Sequence, residues 1–137
     1  MTAKGYLNQA RHLDALINCR LREIDYWRDL SSSVSGMNSD GMPHSPNRPT
    51  EAPFVRCLEK IDEIQRDVAE KVAQLIRLRD EITERIDLLD NQDEQVLVRY
   101  RYIDGFTWEE IERMMNVSER TAFRIHGNAL AHFSVPD

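Results

Sequence analysis

The side chains best suited to chemistry fall in the last third of this chain of 137 residues. There the order runs Ser118-Glu119-Arg120-Thr121-Ala122-Phe123-Arg124, with Asn128 one turn further on. On a helix opening at Ser118, the side chains of Glu119, Arg120, Phe123, Arg124 and Asn128 share one solvent side. Arginine can bind guanine bidentately in a major groove, and asparagine can do the same for adenine. Glu119 either accepts from cytosine N4 or simply favours the dipole of its helix. The unpaired N–H groups of the helix start suit a phosphate. Two plainer readings stay open: Arg124 balances Glu119 on a solvated face, and Phe123 belongs partly to the core.

Other chemistries find no support. There is no P-loop, no Gly-rich phosphate motif, no metal-ligand cluster and no Ser-His-Asp or Cys-His set, so no catalytic residue, enzyme activity or cofactor is expected. His126 and His132 stand six apart without a Cys or His pair at zinc spacing, so no metal site is expected. His126 reads as a surface histidine, with a phosphate contact as the alternative. Cys19 and Cys57 are far apart, as in a reduced, cytoplasmic protein. No apolar run approaches the roughly 18 to 20 residues a membrane span needs, and the first residues lack the apolar stretch of a secretory signal. The net charge of −6, from 18 basic and 24 acidic residues, disfavours a nonspecific nucleic-acid coat protein. A site-specific reader needs only a local basic face.

The elements that must position these residues are all helical. Over residues 1–30, Tyr6, Ala10, Leu13, Ile17, Arg20, Ile24 and Trp27 step by four and three, predicting a long helix with a heptad seam widened by Leu16, Leu21 and Leu30. Residues 31–53 hold four of the five prolines and read as a flexible linker. Residues 54–90 predict a second long helix, with Leu58, Ile61, Gln65, Val68, Val72, Leu75, Arg79, Ile82, Ile86 and Leu89 as its seam. About 36 residues make a helix about 54 Å long, which cannot bury its seam alone. The 23-residue linker allows the two helices to pair as an antiparallel hairpin. Arg20, Gln65 and Arg79 interrupt the seam and leave flanks such as Ile64 and Ile76 uncovered, so a dimer or higher homo-oligomer is expected.

Residues 91–137 contain six of the ten aromatics and predict a compact three-helix unit with its own core. A first helix runs from about Asp93 to Ile103, with Val96, Leu97 and Tyr100 on one face, and stops at Asp104-Gly105. Thr107 caps a second, with Glu110 completing a capping box and Trp108, Ile111, Met114 and Met115 inward. After the turn Asn116-Val117-Ser118, a third helix carries Ala122, Ile125, Ala129, Leu130 and Phe133 inward. This is the helix-turn-helix pattern.

The same residues carry a family resemblance. Arg101-Tyr102-Ile103-Asp104-Gly105-Phe106-Thr107-Trp108-Glu109-Glu110-Ile111 resembles the R-Y-x-x-G-x-T-x-x-E-I stretch of region 4, the promoter-binding part, of bacterial sigma factors. Asn116-Val117-Ser118-Glu119-Arg120-Thr121, with Arg124 and Ala129-Leu130, is similar to its G-V-S-x-x-T-V-x-R-x-x-x-x-A-L. The layout as a whole resembles the RinA- or ArpU-like regulators of phage late transcription. The resemblance implies groove contacts from Arg120, Phe123 and Arg124, with Ser118 and Thr121 at the helix start and Thr107 and Trp108 near the DNA backbone. Glu112 departs from the family's small residue, Ala122 from its larger apolar one and Asn116 from its turn glycine. The small residue has then moved across the helix contact, with the Glu112 stem over Ala122.

The function expected is a sequence-specific, double-stranded DNA-binding transcriptional regulator of phage type that oligomerises through its long helices. The alternatives are a packaging protein like a terminase small subunit, or an adaptor binding RNA polymerase. Residues 91–137 hold five basic and eight acidic side chains, so one copy neutralises few phosphates and needs a second copy, or polymerase, to hold DNA.

Overall fold

The computed structural model describes residues 1–37 and 51–137. The protein is all-α, with no strand among the described residues. Helix α1 spans Ala3–Met37 and α2 spans Glu51–Asp87. Helix α3 (Gln92–Val98) runs on into a π-helical turn at Arg99–Ile103, and α4 (Trp108–Met115) and α5 (Glu119–His132) follow. None of the described helices is long and apolar enough to cross a membrane. The chain divides into two compact units, one of Met1–Asp14 with Gln74–Asp137 and one of Ala15–Ala73.

In the Ala15–Ala73 unit, Ile17, Ile24 and Ser31 of α1 are buried, with Arg20 and Trp27 half-buried between them. The three-four seam thus takes one further step, from Trp27 to Ser31. This explains why α1 outruns its expected end at Leu30. Serine is only mildly unfavourable in a helix, and a buried seam position holds the next turn in place. Helix α2 likewise begins at Glu51, before Pro53, because proline is tolerated in a first turn whose N–H groups have no helical partner. The rest of the expected linker lies outside the described residues.

The seam of α2 is rotated from the expected one. Cys57 and Ile64 are buried and Lys71 is half-buried, whereas Leu58, Gln65 and Val72 are exposed. The two registers share Ile61 and Val68 and differ in every second member. Burying an Ile or Leu side chain stabilises by about 1.5 to 3 kcal/mol, and only the observed register encloses Ile64 while leaving Gln65 in water. Its polar member is Lys71, whose Nζ pairs with Asp67 at 2.9 Å; Asp67 also accepts from Arg20 Nε at 2.9 Å. Lys71 first and then Arg20 hold the Asp67 carboxyl below its ordinary range. Leu16, Leu21, Leu30, Val55, Leu58 and Val72 remain exposed on this unit.

In the other unit, Tyr6 and Gln9 line a hollow with Glu81, while His12 and Leu13 line one with Gln74, so the two helices run antiparallel there. The same rotation continues: Leu78 packs on the core and Arg79 is exposed, while Ile76 stays uncovered as expected. The main core joins Tyr6, Leu7 and Ala10 of α1 to Ile82 and Ile86 of α2, with Leu89, Val98, Tyr102, Ala129 and Phe133. Residues 91–137 therefore share this main core with α1 and α2, in addition to the cluster they close among themselves. So short a segment buries too little surface alone, and Leu7, fully buried beside the seam, completes it. A second cluster holds the helix-turn-helix together: Leu97, Ile111, Ala122 and Ile125, flanked by Tyr100, Phe106, Trp108, Met115 and Val117.

Candidate nucleic-acid interface

The candidate site is built by caps and one turn. Thr107 Oγ1 accepts from Glu110 N at 3.2 Å and starts α4. Asn116 ends it at φ 56 and ψ 50, the left-handed conformation that asparagine tolerates better than most residues. Two residues later Ser118 Oγ accepts from Thr121 N at 3.2 Å and starts α5. Ser118 Oγ–H also donates to Thr121 Oγ1 at 3.0 Å, so both hydroxyls serve the helix start. Ile111 of α4 and Ala122 and Ile125 of α5 share the second cluster. Ala122 is the small residue there, with Glu112 half-buried on α4.

With Ala122, Ile125 and Ala129 inward, Glu119, Arg120, Phe123, Arg124 and Asn128 are all exposed on α5. The expected solvent face is therefore present as a surface. Phe123 is 45 % exposed and also rests against Trp108, with ring centroids 4.8 Å apart. Trp108 is half-buried at the start of α4, and Thr107 and Ser118 are exposed at their caps. Among the described residues, neither Arg120 nor Arg124 lies within 4 Å of a carboxylate. Arg124 therefore makes no ion pair with Glu119.

Three expectations about inward side chains are corrected. Met114 is 51 % exposed, because the short α4 turns Ile111 and Met115 toward the cluster instead. Val96 is 38 % exposed, while Val98 and Tyr102 are buried. Helix α3 turns Glu94, Leu97 and Val98 inward instead, and Tyr102 follows Val98 four residues on; between them the chain enters a π-helical turn in which Asp104 N donates to Arg99 O, five residues back, at 3.0 Å. From that turn the Arg101 guanidinium lies over the Trp108 ring, 4.7 Å from its centroid. Arg101 Nη1 also donates to Phe106 O at 3.1 Å.

His126 is the third correction, since it is buried and not a surface residue. Its Nε2 lies 2.7 Å from Tyr102 Oη, and its ring meets Trp108 edge-on at 4.8 Å. Burial first, and then the charges of Lys4 and Arg101, push the imidazole below its ordinary range. Burial raises the Tyr102 phenol, and burial followed by the charge of Arg11 lowers the Arg101 guanidinium. A chain of rings thus connects exposed Phe123 through Trp108 and His126 to Tyr102 in the main core. Sequence reasoning missed Tyr102 and His126, although His126 stands four residues after Ala122 and three before Ala129, on the inward face of α5. His132 instead places Nδ1 3.0 Å from both carboxylate oxygens of buried Glu94. No group of three or more His, Cys, Asp or Glu side chains among the described residues could hold a metal ion.

What this arrangement can do is present two guanidinium groups with no carboxylate partner among the described residues, a carboxamide and an aromatic edge from one helix. Residues 45–134 match a protein family described as "Protein of unknown function (DUF1492)". No curated protein and no solved structure matches the chain.

Proposed function

We propose that the chain, which belongs to the DUF1492 family, is a sequence-specific DNA-binding transcriptional regulator of phage type that lays α5 in the major groove. One observation carries the reading. Arg120, Arg124 and Asn128 stand exposed on one face of α5, free of carboxylate partners among the described residues, on a helix fixed by the Asn116 turn and the Ser118 cap. Those are the side chains that read guanine and adenine edges. The likeness to sigma region 4 over residues 101–130 supports the same face.

The exposed apolar residues of the Ala15–Ala73 unit support self-association through α1 and α2. A dimer sets two half-sites side by side and offsets the weakness of one acidic copy through effective concentration.

Selection from a random duplex pool tests the reading. A shared motif, repeated or palindromic, is the result expected. Folded protein that enriches no motif refutes it and directs attention to RNA polymerase or a DNA-packaging partner.

A further inference from the structure

The first turns of α1 bring charge to the flank of the helix-turn-helix. Leu7 is fully buried in the core that contains Tyr102 and Ala129. At 100° per residue, Lys4 and Arg11 lie within about 60° of Leu7 around the helix, so both border the place where α1 meets the π-helical turn and α5. Lys4 is exposed and Arg11 half-buried. Lys4 is close enough for its charge to be felt at His126, and Arg11 for its charge to be felt at Arg101. Arg101 in turn lies over Trp108, whose ring touches Phe123 on the exposed face of α5.

These cations are left uncompensated. Among the described residues, Lys4, Arg11 and Arg101 have no carboxylate within 4 Å, as holds for most of the basic side chains outside Arg20, Lys60, Arg66 and Lys71, and Arg101 is held instead by Phe106 O and the Trp108 ring. Acidic residues outnumber basic ones, 24 to 18, so the lack of partners is not a shortage of carboxylates. Neighbouring like charges disfavour each other in the free protein, and an anion of high charge density removes that penalty.

Resting on the DNA-binding reading above, we infer that Lys4, Arg11 and Arg101 form a phosphate clamp, which grips the backbone of the same duplex whose groove α5 reads. The long first helix is then a second DNA-contacting element as well as a partner for α2. It adds positive charge to a unit whose residues 91–137 carry more acid than base.

The test uses the full chain, its selected duplex and a scrambled duplex, titrated over a range of salt concentrations. Each phosphate contact contributes about 0.9 to the slope of log K against log salt. The double variant Lys4→Gln/Arg11→Gln is expected to flatten that slope by about 1.8, and to weaken selected and scrambled duplexes by the same factor. Arg11→Lys, which keeps the charge, should leave the slope as it is. Should the double variant lose its helical circular dichroism, exposed Lys4→Gln alone carries the test, with an expected drop of about 0.9. An unchanged slope in a folded variant, with Arg124→Ala still costing specific binding, overturns the clamp and spares the DNA-binding reading. A wild-type chain that binds neither duplex overturns both.

Discussion

Replacing Tyr102 by phenylalanine removes one oxygen from the middle of the fold. Tyr102 is 4 % exposed and His126 9 %, and the phenol oxygen is 2.7 Å from Nε2. With the imidazole proton on Nδ1, Tyr102 Oη–H donates to Nε2, and the variant leaves that nitrogen buried and unsatisfied. A buried polar group that loses its partner costs about 1 to 3 kcal/mol, and the ring shape is otherwise kept. Urea unfolding above neutral pH should therefore report a loss of about 1 to 3 kcal/mol with an unchanged m-value. The pH dependence follows from the groups facing His126: Tyr102, Lys4 and Arg101. Its folded pKa is depressed, so near and below the ordinary histidine pKa the unfolded chain binds a proton that the folded one refuses. Stability is then full above about pH 7 and falls as the pH drops through about 6.5, by at most about 1.4 kcal/mol per pH unit from this group. His126→Phe should flatten that part of the profile. A Tyr102→Phe protein as stable as wild type, or a His126→Phe protein with the same acid slope, would refute the burial argument.

Three further outcomes follow from packing and backbone geometry. Ile64→Ala should cost about 2 to 5 kcal/mol in denaturant unfolding, while neighbouring Gln65→Ala stays within about 0.5 kcal/mol; the reverse order would restore the other register of α2. Leu7→Ala should also cost about 2 to 5 kcal/mol, because its side chain is fully enclosed by the main core; a thermal melt that hardly moves would detach α1 from that core. Asn116→Ala forces a β-carbon-bearing residue without a helpful amide into the left-handed region and should cost about 1 to 2 kcal/mol, whereas Asn116→Gly should be nearly neutral in the same melts.

Much of this was readable from residues whose effect is local. Thr107, Asn116 and Ser118 each decide a helix end within three or four positions, so the turn and both caps follow from side-chain chemistry alone. The α1 seam is equally plain, because Tyr6 to Trp27 offers only one apolar register. Helix α2 offers two, sharing Ile61, Val68, Leu75 and Ile82. Choosing between them depends on what α1 offers, such as Arg20 pairing with Asp67 across the helices, a contact that no spacing within one helix reveals. Leu7 is hidden for the same reason: it lies beside the α1 seam and is enclosed only when the C-terminal helices arrive. The π-helical turn is the third case. Arg99–Ile103 looks like continuous α-helix in sequence, yet its backbone closes a π-helical turn, Asp104 N to Arg99 O, that no side-chain spacing announces.

In the proposed function, α5 reads base edges. The most direct test is the affinity of wild type, Arg120→Ala and Arg124→Ala for the selected duplex against a scrambled one, at two salt concentrations. Either arginine, if it reads a base, should lose about 1 to 3 kcal/mol on the selected duplex and far less on the scrambled one. Equal losses on both duplexes for both variants would contradict the claim and reduce α5 to a backbone-binding surface.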